Sequence, residues 1–133
     1  MKNTKIPDLI KKARRSANAA KELLDKEFPD FSVSRSYYAM YYATQAILLT
    51  KNLAFSEQAA AISALGRDFV KIGIFPIGLH DNILDAFDLR QKGDYDAANY
   101  ISKEIATTTL KHAEEFIIFI EKYLKSNGIV YES

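Results

Sequence analysis

The sequence contains no cysteine, which excludes disulfide bridges, thiol catalysis and thiolate metal sites and suits a reducing compartment. Its two histidines, His80 and His112, lie far apart and leave little for a histidine-rich metal site, so neither a metal nor a cofactor is expected. Net charge is also missing. Eighteen Lys and Arg against seventeen Asp and Glu give +1, without the long-range positive field of a dedicated duplex-DNA binder, so any nucleic-acid contact has to be local. No stretch approaches the roughly 20 apolar residues of a membrane span, and the start, MKNTKIPDLIKKARRS, has no apolar run of signal-peptide length. A cytoplasmic protein without a membrane partner is the expectation.

What is present suits one folded unit. A hydrophobic fraction of 48% and a charged fraction of 26% are those of a globular protein, and 133 residues suffice for one core but not two. Residues 1–133 are therefore expected to form a single domain. The few prolines and glycines fall where helices should begin and end, and between them apolar residues recur at three and four.

Pro7 opens a first helix whose stripe is Leu9, Ile10, Ala13, Ala17, Ala20, Leu23 and Leu24, and Phe28 with Pro29 ends it. The next segment, FSVSRSYYAMYYATQAILLTKN, is apolar nearly all round, which predicts a central helix covered on most sides, capped by Asp30, Ser32 or Ser34. A third helix runs from Glu57 to about Lys71 and closes at Gly73. Pro76 starts a shorter helix carrying Leu79, Ile83, Leu84, Phe87 and Leu89 that stops before Gly93. Asp94 then caps the last helix, whose stripe runs from Ala98 and Ile101 through Ile105, Leu110, Ala113, Phe116, Ile117 and Ile120 to Leu124, with Gly128 closing it. No segment alternates as strands do, so the expected fold is all-α, an up-and-down bundle of four to five helices.

Two constellations carry possible chemistry. Tyr37, Tyr38, Tyr41 and Tyr42 follow Arg35 near the start of the central helix. Tyrosines at such spacing either fill the edge of a core or form a surface that stacks and hydrogen-bonds with bases or a partner helix. A cation in the first turn opposes the helix dipole, so Arg35 calls for a nearby anion, either a carboxylate of the same chain or a phosphate. Arg35 and Tyr42 are two turns apart and share a face, about 10 Å along the axis. The second constellation is LRQKGDYD, in which Arg90 ends one helix and Asp94 begins the next; the two can pair across the corner or extend a binding cleft.

The run SRSYYAMYYATQAILL, then GRDFVKIGIF, then LRQKGDYD, in that order from about Asp30 to Leu124, resembles the HEPN superfamily and in particular its small stand-alone members. The resemblance implies a four-to-five-helix bundle, a homodimer, and work beside a minimal nucleotidyltransferase in toxin–antitoxin type systems. Many members are metal-independent ribonucleases in which an arginine and a histidine separated by four to six residues meet their symmetry mates at the dimer interface. Arg35 falls on the arginine position, and Tyr42 stands where the histidine would be. No arginine in this sequence is followed by a histidine at that distance, and Glu57 follows Ser56 where similar sequences tend to have another histidine. Phenols, which ordinarily titrate near 10, are poor general bases at neutral pH, although their hydroxyls can bind phosphate.

These observations favour a nucleotide- or RNA-binding module, with Arg35, Tyr38, Tyr42, Arg90 and Asp94 as its binding residues and a minimal nucleotidyltransferase as its partner. The alternatives are a metal-independent ribonuclease toxin with an altered site, using Arg35 and Tyr42 as catalytic residues, or a structural module whose tyrosines bind another protein. His112, the neighbouring Glu114 and Glu115, and the basic Lys11, Lys12, Arg14 and Arg15 are read as surface charges.

Overall fold

In the computed structural model, which describes residues 5–95 and 101–129, the chain forms five α-helices, one π-helical turn and, among the described residues, no strand. Helix α1 spans Lys5–Asp25, α2 Pro29–Leu49, α3 Gln58–Leu65, the π-helical turn Gly66–Val70, α4 Ile77–Tyr95 and α5 Lys103–Ser126. The fold is the all-α bundle the sequence patterns predict.

Four of these elements end in the same device. A residue in the left-handed region follows the last turn, and two backward hydrogen bonds cover carbonyls that would otherwise be orphaned. After α1, Glu27 has φ +67°, with Phe28 N–H donating to Leu23 C=O at 2.8 Å and Glu27 N–H to Leu24 C=O at 3.1 Å. After α2 the left-handed residue is Asn52, after the π-helical turn Gly73 and after α5 Gly128. The two glycines behave as the sequence predicts. Glu27 performs the same role with a side chain that tolerates the conformation poorly, which is why the composition hides it.

α2 is the hub. It packs against α1, α3, α4 and α5, whereas among the described residues the backbones of α1 and α4 stand apart. Its partnership with α1 is an antiparallel hairpin held close by small residues: Ser32 Oγ donates to Ala20 C=O and Ser16 Oγ to Arg35 C=O, both at 2.7 Å. Tyr37, Met40, Ile47 and Leu48 of α2 lie in the main core with Ile10, Leu65, Phe69, Ile83, Phe116 and Ile120. A smaller cluster of Ala20, Leu24, Val33, Ile101, Ala106 and Leu110 closes the end where α1 turns into α2. Among the described residues, no helix is long and apolar enough to cross a membrane.

Three boundaries differ from the sequence expectations. α2 begins at Pro29, with Phe28 at the cap position and no side-chain cap; Asp30, Ser32 and Ser34 lie inside the helix, and Ser32 and Ser34 are buried. A proline at N1 starts the helix without a capping hydroxyl, because its missing N–H is one of those the first turn cannot satisfy. α4 does not stop before Gly93 but continues to Tyr95. A Cβ on Gly93 would meet Ile101 Cδ1 at 2.8 Å, so this glycine serves close packing and not a turn. α5 accordingly begins at Lys103, capped by Ser102, whose Oγ accepts from Ile105 N–H at 3.1 Å; Asp94 is not its cap. Ala98 lies outside the described residues. Of the predicted apolar stripes, Leu84 and Ile105 are exposed, while Ala86, Ala106 and Thr109 take the inward positions.

Candidate functional site

From Ser32 to Leu49, α2 reaches the surface at five positions, Arg35, Tyr38, Tyr42, Gln45 and Leu49, and every other residue in that span is buried. Their spacing of three and four places them on one face of the helix, along about 21 Å of its axis. This stripe stays open because the backbones of α1 and α4, which wall it on either side, stand apart among the described residues. The tyrosine cluster is thereby divided. Tyr37 and Tyr41 turn inward as core residues, and Tyr38 and Tyr42 turn outward.

The inward pair are packing groups. Tyr37 Oη donates to Gln58 Oε1 at 2.7 Å, and its ring stacks on Tyr41 with centroids 6.0 Å apart. Burial pushes the Tyr37 phenol above its ordinary range; Tyr41 and Tyr38 add to the effect and the Arg90 charge works against it. Burial raises Tyr41 as well, with Tyr38 and Tyr42 contributing. Neither phenol can supply a phenolate base at neutral pH.

The outward pair carry cations. The Arg35 guanidinium lies over the Tyr38 ring at 4.7 Å, and Arg90 of α4 approaches the same ring at 5.1 Å. Tyr38 stacks on Tyr42 at 5.9 Å, and Lys12 of α1 sits 4.7 Å over Tyr42. A desolvated ring face and a flat guanidinium attract one another and leave the N–H edges free to point outward. Leu23, Phe31, Ser34, Arg35, Tyr38 and Arg90 line an open cleft of about 300 Å³ around this group. Among the described residues no carboxylate forms an ion pair with Arg35. Its position also differs from expectation: it is the seventh residue of α2, in the second turn, so opposition to the helix dipole is not what sets its surroundings.

The structure thus brings together Arg35, Tyr38, Tyr42 and Arg90. Asp94 stands in the last turn of α4, on the same helix as Arg90 and not across a corner from it, and its side chain lies outside the described residues. Lys12 joins the site from what the sequence offers only as a charged helix face, and Gln45 and Leu49 extend it. Their one signal is the spacing 35, 38, 42, 45, 49, which stands out only once the rest of α2 is known to be covered. Both histidines lie elsewhere. His80 Nε2 is 3.0 Å from Ile62 C=O and its ring packs against Gly66, where a Cβ would approach to 2.8 Å. His112 lines a separate cleft between α4 and α5.

A cleft with guanidinium groups over phenol rings can bind phosphate oxygens and stack an aromatic ligand. It holds no imidazole to move a proton. The HEPN domain family matches residues 6–123 of this chain. A protein of Methanocaldococcus jannaschii named "Putative toxin MJ0142" is 36% identical over 125 residues, covering 94% of this chain and 85% of that protein. A UPF0332 protein of Gloeobacter violaceus is 37% identical over 88% of this chain and 94% of its own length. A UPF0332 protein of Thermotoga maritima is 34% identical over 86% and 87%. With one family matched from the first helix into the last, and relatives aligned along most of both lengths, the chain belongs to the HEPN family.

Proposed function

We propose that this protein is a toxin–antitoxin type HEPN module that binds RNA or a nucleotide through Arg35, Tyr38, Arg90 and Tyr42. In this reading it acts as a single domain and a homodimer, beside a minimal nucleotidyltransferase. The observation that carries it is the state of Arg35: a guanidinium laid on a tyrosine at the mouth of an open cleft, with no carboxylate of the described chain to neutralise it. Arginine in that posture offers two parallel N–H groups to a phosphate, and Arg90, 5.1 Å from the same ring, brings a second cation to the cleft. The toxin name of the relative at 36% identity supports the wider setting.

Binding is favoured over cleavage because Tyr42 stands where the resemblance puts the family histidine, and a phenol does not serve as general base near neutral pH. The rival reading is a metal-independent ribonuclease in which Arg35 stabilises charge in the transition state. It draws on the toxin name of the Methanocaldococcus jannaschii relative.

The test is fluorescence anisotropy of the purified protein with a labelled single-stranded RNA at fixed salt, with and without Arg35→Ala. The expected loss is roughly tenfold or more, the scale of a charge-assisted hydrogen bond to phosphate. An Arg35→Ala variant with unchanged helical circular dichroism and unchanged affinity would refute the reading. Incubation of the same RNA with excess protein in chelator tests the rival: arginine-dependent cleavage favours it, and intact RNA rejects it.

A further inference from the structure

The exposed stripe of α2 does not end at the arginine cleft. It runs from Arg35 through Tyr38, Tyr42 and Gln45 to Leu49, and at that far end opens into a second pocket of about 360 Å³. Leu9 of α1, Leu48 and Leu49 of α2, Leu53, Ala54 and Phe55 of the following loop, and Ala61 of α3 make its apolar lining. Lys5, Asp8, Lys12 and Gln45 complete it, two cations against one acid and a single amide. Lys12 belongs to both places: its ammonium lies over the Tyr42 ring and its side chain borders the pocket.

Charge has a direction across this surface. Between Lys5 and Arg15, α1 carries Lys5, Lys11, Lys12 and Arg15 against Asp8 alone, Arg14 being paired with the Glu121 carboxylate of α5. α4 exposes Asp81, Asp85 and Asp88 before its late Arg90 and Lys92, with Asp85 lining the separate cleft against α5. A polyanion held at Arg35 is therefore drawn along the stripe toward Lys12 and α1, and repelled from the outer face of α4. The ends of the path also differ in kind. One holds guanidinium groups for phosphate. The other is apolar, with one aromatic ring, Phe55, and one amide, Gln45, which can both donate and accept.

We infer that the Leu9–Leu49–Phe55 pocket receives an unstacked nucleobase of a single RNA strand whose backbone is held at Arg35 and passes over Tyr38, Tyr42 and Lys12. This rests on the phosphate-binding reading of Arg35 and adds to it a strand form and a direction. A paired base cannot enter the pocket without leaving its helix, so the ligand is single-stranded, and it spans several nucleotides, because the stripe is about 21 Å long. A mononucleotide occupies only one end.

The experiment compares a four-nucleotide single-stranded RNA with two derivatives in which either the first or the last nucleotide is abasic, so that phosphates and charge are kept and one base is lost. For the wild-type protein, one of the two abasic strands is expected to bind roughly tenfold more weakly, and the other nearly as well as the intact strand. Ala54→Leu, which fills the pocket from an exposed position without adding a stacking face, should weaken the intact strand to the level of the sensitive abasic one and leave that abasic strand unaffected. Arg35→Ala should weaken all three alike. If both abasic strands match the intact one while Arg35→Ala still weakens binding, the pocket is not a base site and the phosphate reading survives. If Arg35→Ala changes nothing, the phosphate reading fails first. Should Ala54→Leu prove unfolded by circular dichroism, the abasic comparison on the wild-type protein decides by itself.

Discussion

Arg14 and Arg35 stand on neighbouring helices of one hairpin and are treated in opposite ways. Arg14 of α1 reaches the Glu121 carboxylate of α5, whose side chain is only 10% exposed, so the pair ties two helices of the bundle together. Arg35 of α2 lies on Tyr38 with no acid of the described chain beside it. A charge that braces the fold is neutralised inside the chain, because an unpaired carboxylate at that depth is costly. A charge left at a cleft on an aromatic ring stays available to a ligand. The residue type is the same; the carboxylate within reach is what differs.

Removing the structural arginine should have the largest effect on stability. Arg14→Met is expected to lower unfolding free energy by about 2 kcal/mol, below the roughly 3–5 kcal/mol of a fully buried pair because Arg14 is itself partly exposed. Urea denaturation measures it, and RNA affinity in the folded state should not change. Equal stability of Arg14→Met and wild type would remove the contrast with Arg35.

A smaller effect is expected at the other end of the comparison. Tyr38→Leu takes away the ring beneath both Arg35 and Arg90, and should weaken RNA binding by about 1 kcal/mol, roughly fivefold, with little change in melting temperature. Tyr38→Phe keeps the ring and should retain most of the affinity. A Phe variant as weak as the Leu variant would assign the role to the hydroxyl instead of the ring face.

The smallest effect belongs to a third arginine. Arg67, on the π-helical turn, binds the neighbouring Asp68 carboxylate at 2.9 Å on the exposed surface. The hydrogen bond from Arg67 holds the Asp68 carboxyl below the usual carboxylate range, with the charges of Arg67 and Lys51 acting in the same direction. Because the folded value lies below the unfolded one, near 3.9, any stabilisation is complete above that pH and disappears as pH falls through the folded value. Carboxyl titration followed by NMR should place Asp68 below 3.9, and Arg67→Gln should raise it. Stability at neutral pH should scarcely respond, as for other exposed pairs.

The locally coded parts of the fold were legible. Pro76, Gly73 and Gly128 mark helix ends because backbone geometry at a terminus depends on few neighbours, whereas α1 is already helical at Lys5, before Pro7. Glu27 and Asn52 perform the same closing role as the glycines, yet nothing in those residue types announces it. Gly93 and Asp94 failed in the other direction. Together they spell a helix stop followed by a cap, but the approach of Ile101 uses the missing Cβ of Gly93 for packing and α4 continues past it.

The sequence by itself determined the helices, their all-α assembly, and the gathering of arginine and tyrosine on the central one, because these follow from spacing and local backbone chemistry. Tertiary structure alone decided which tyrosines face outward, which arginine meets an acid and where the groove runs. A helix that is apolar nearly all round gives no inner or outer face of its own. The surface of α2 is whatever its neighbours leave uncovered, and that strip lies where the backbones of α1 and α4 stand apart.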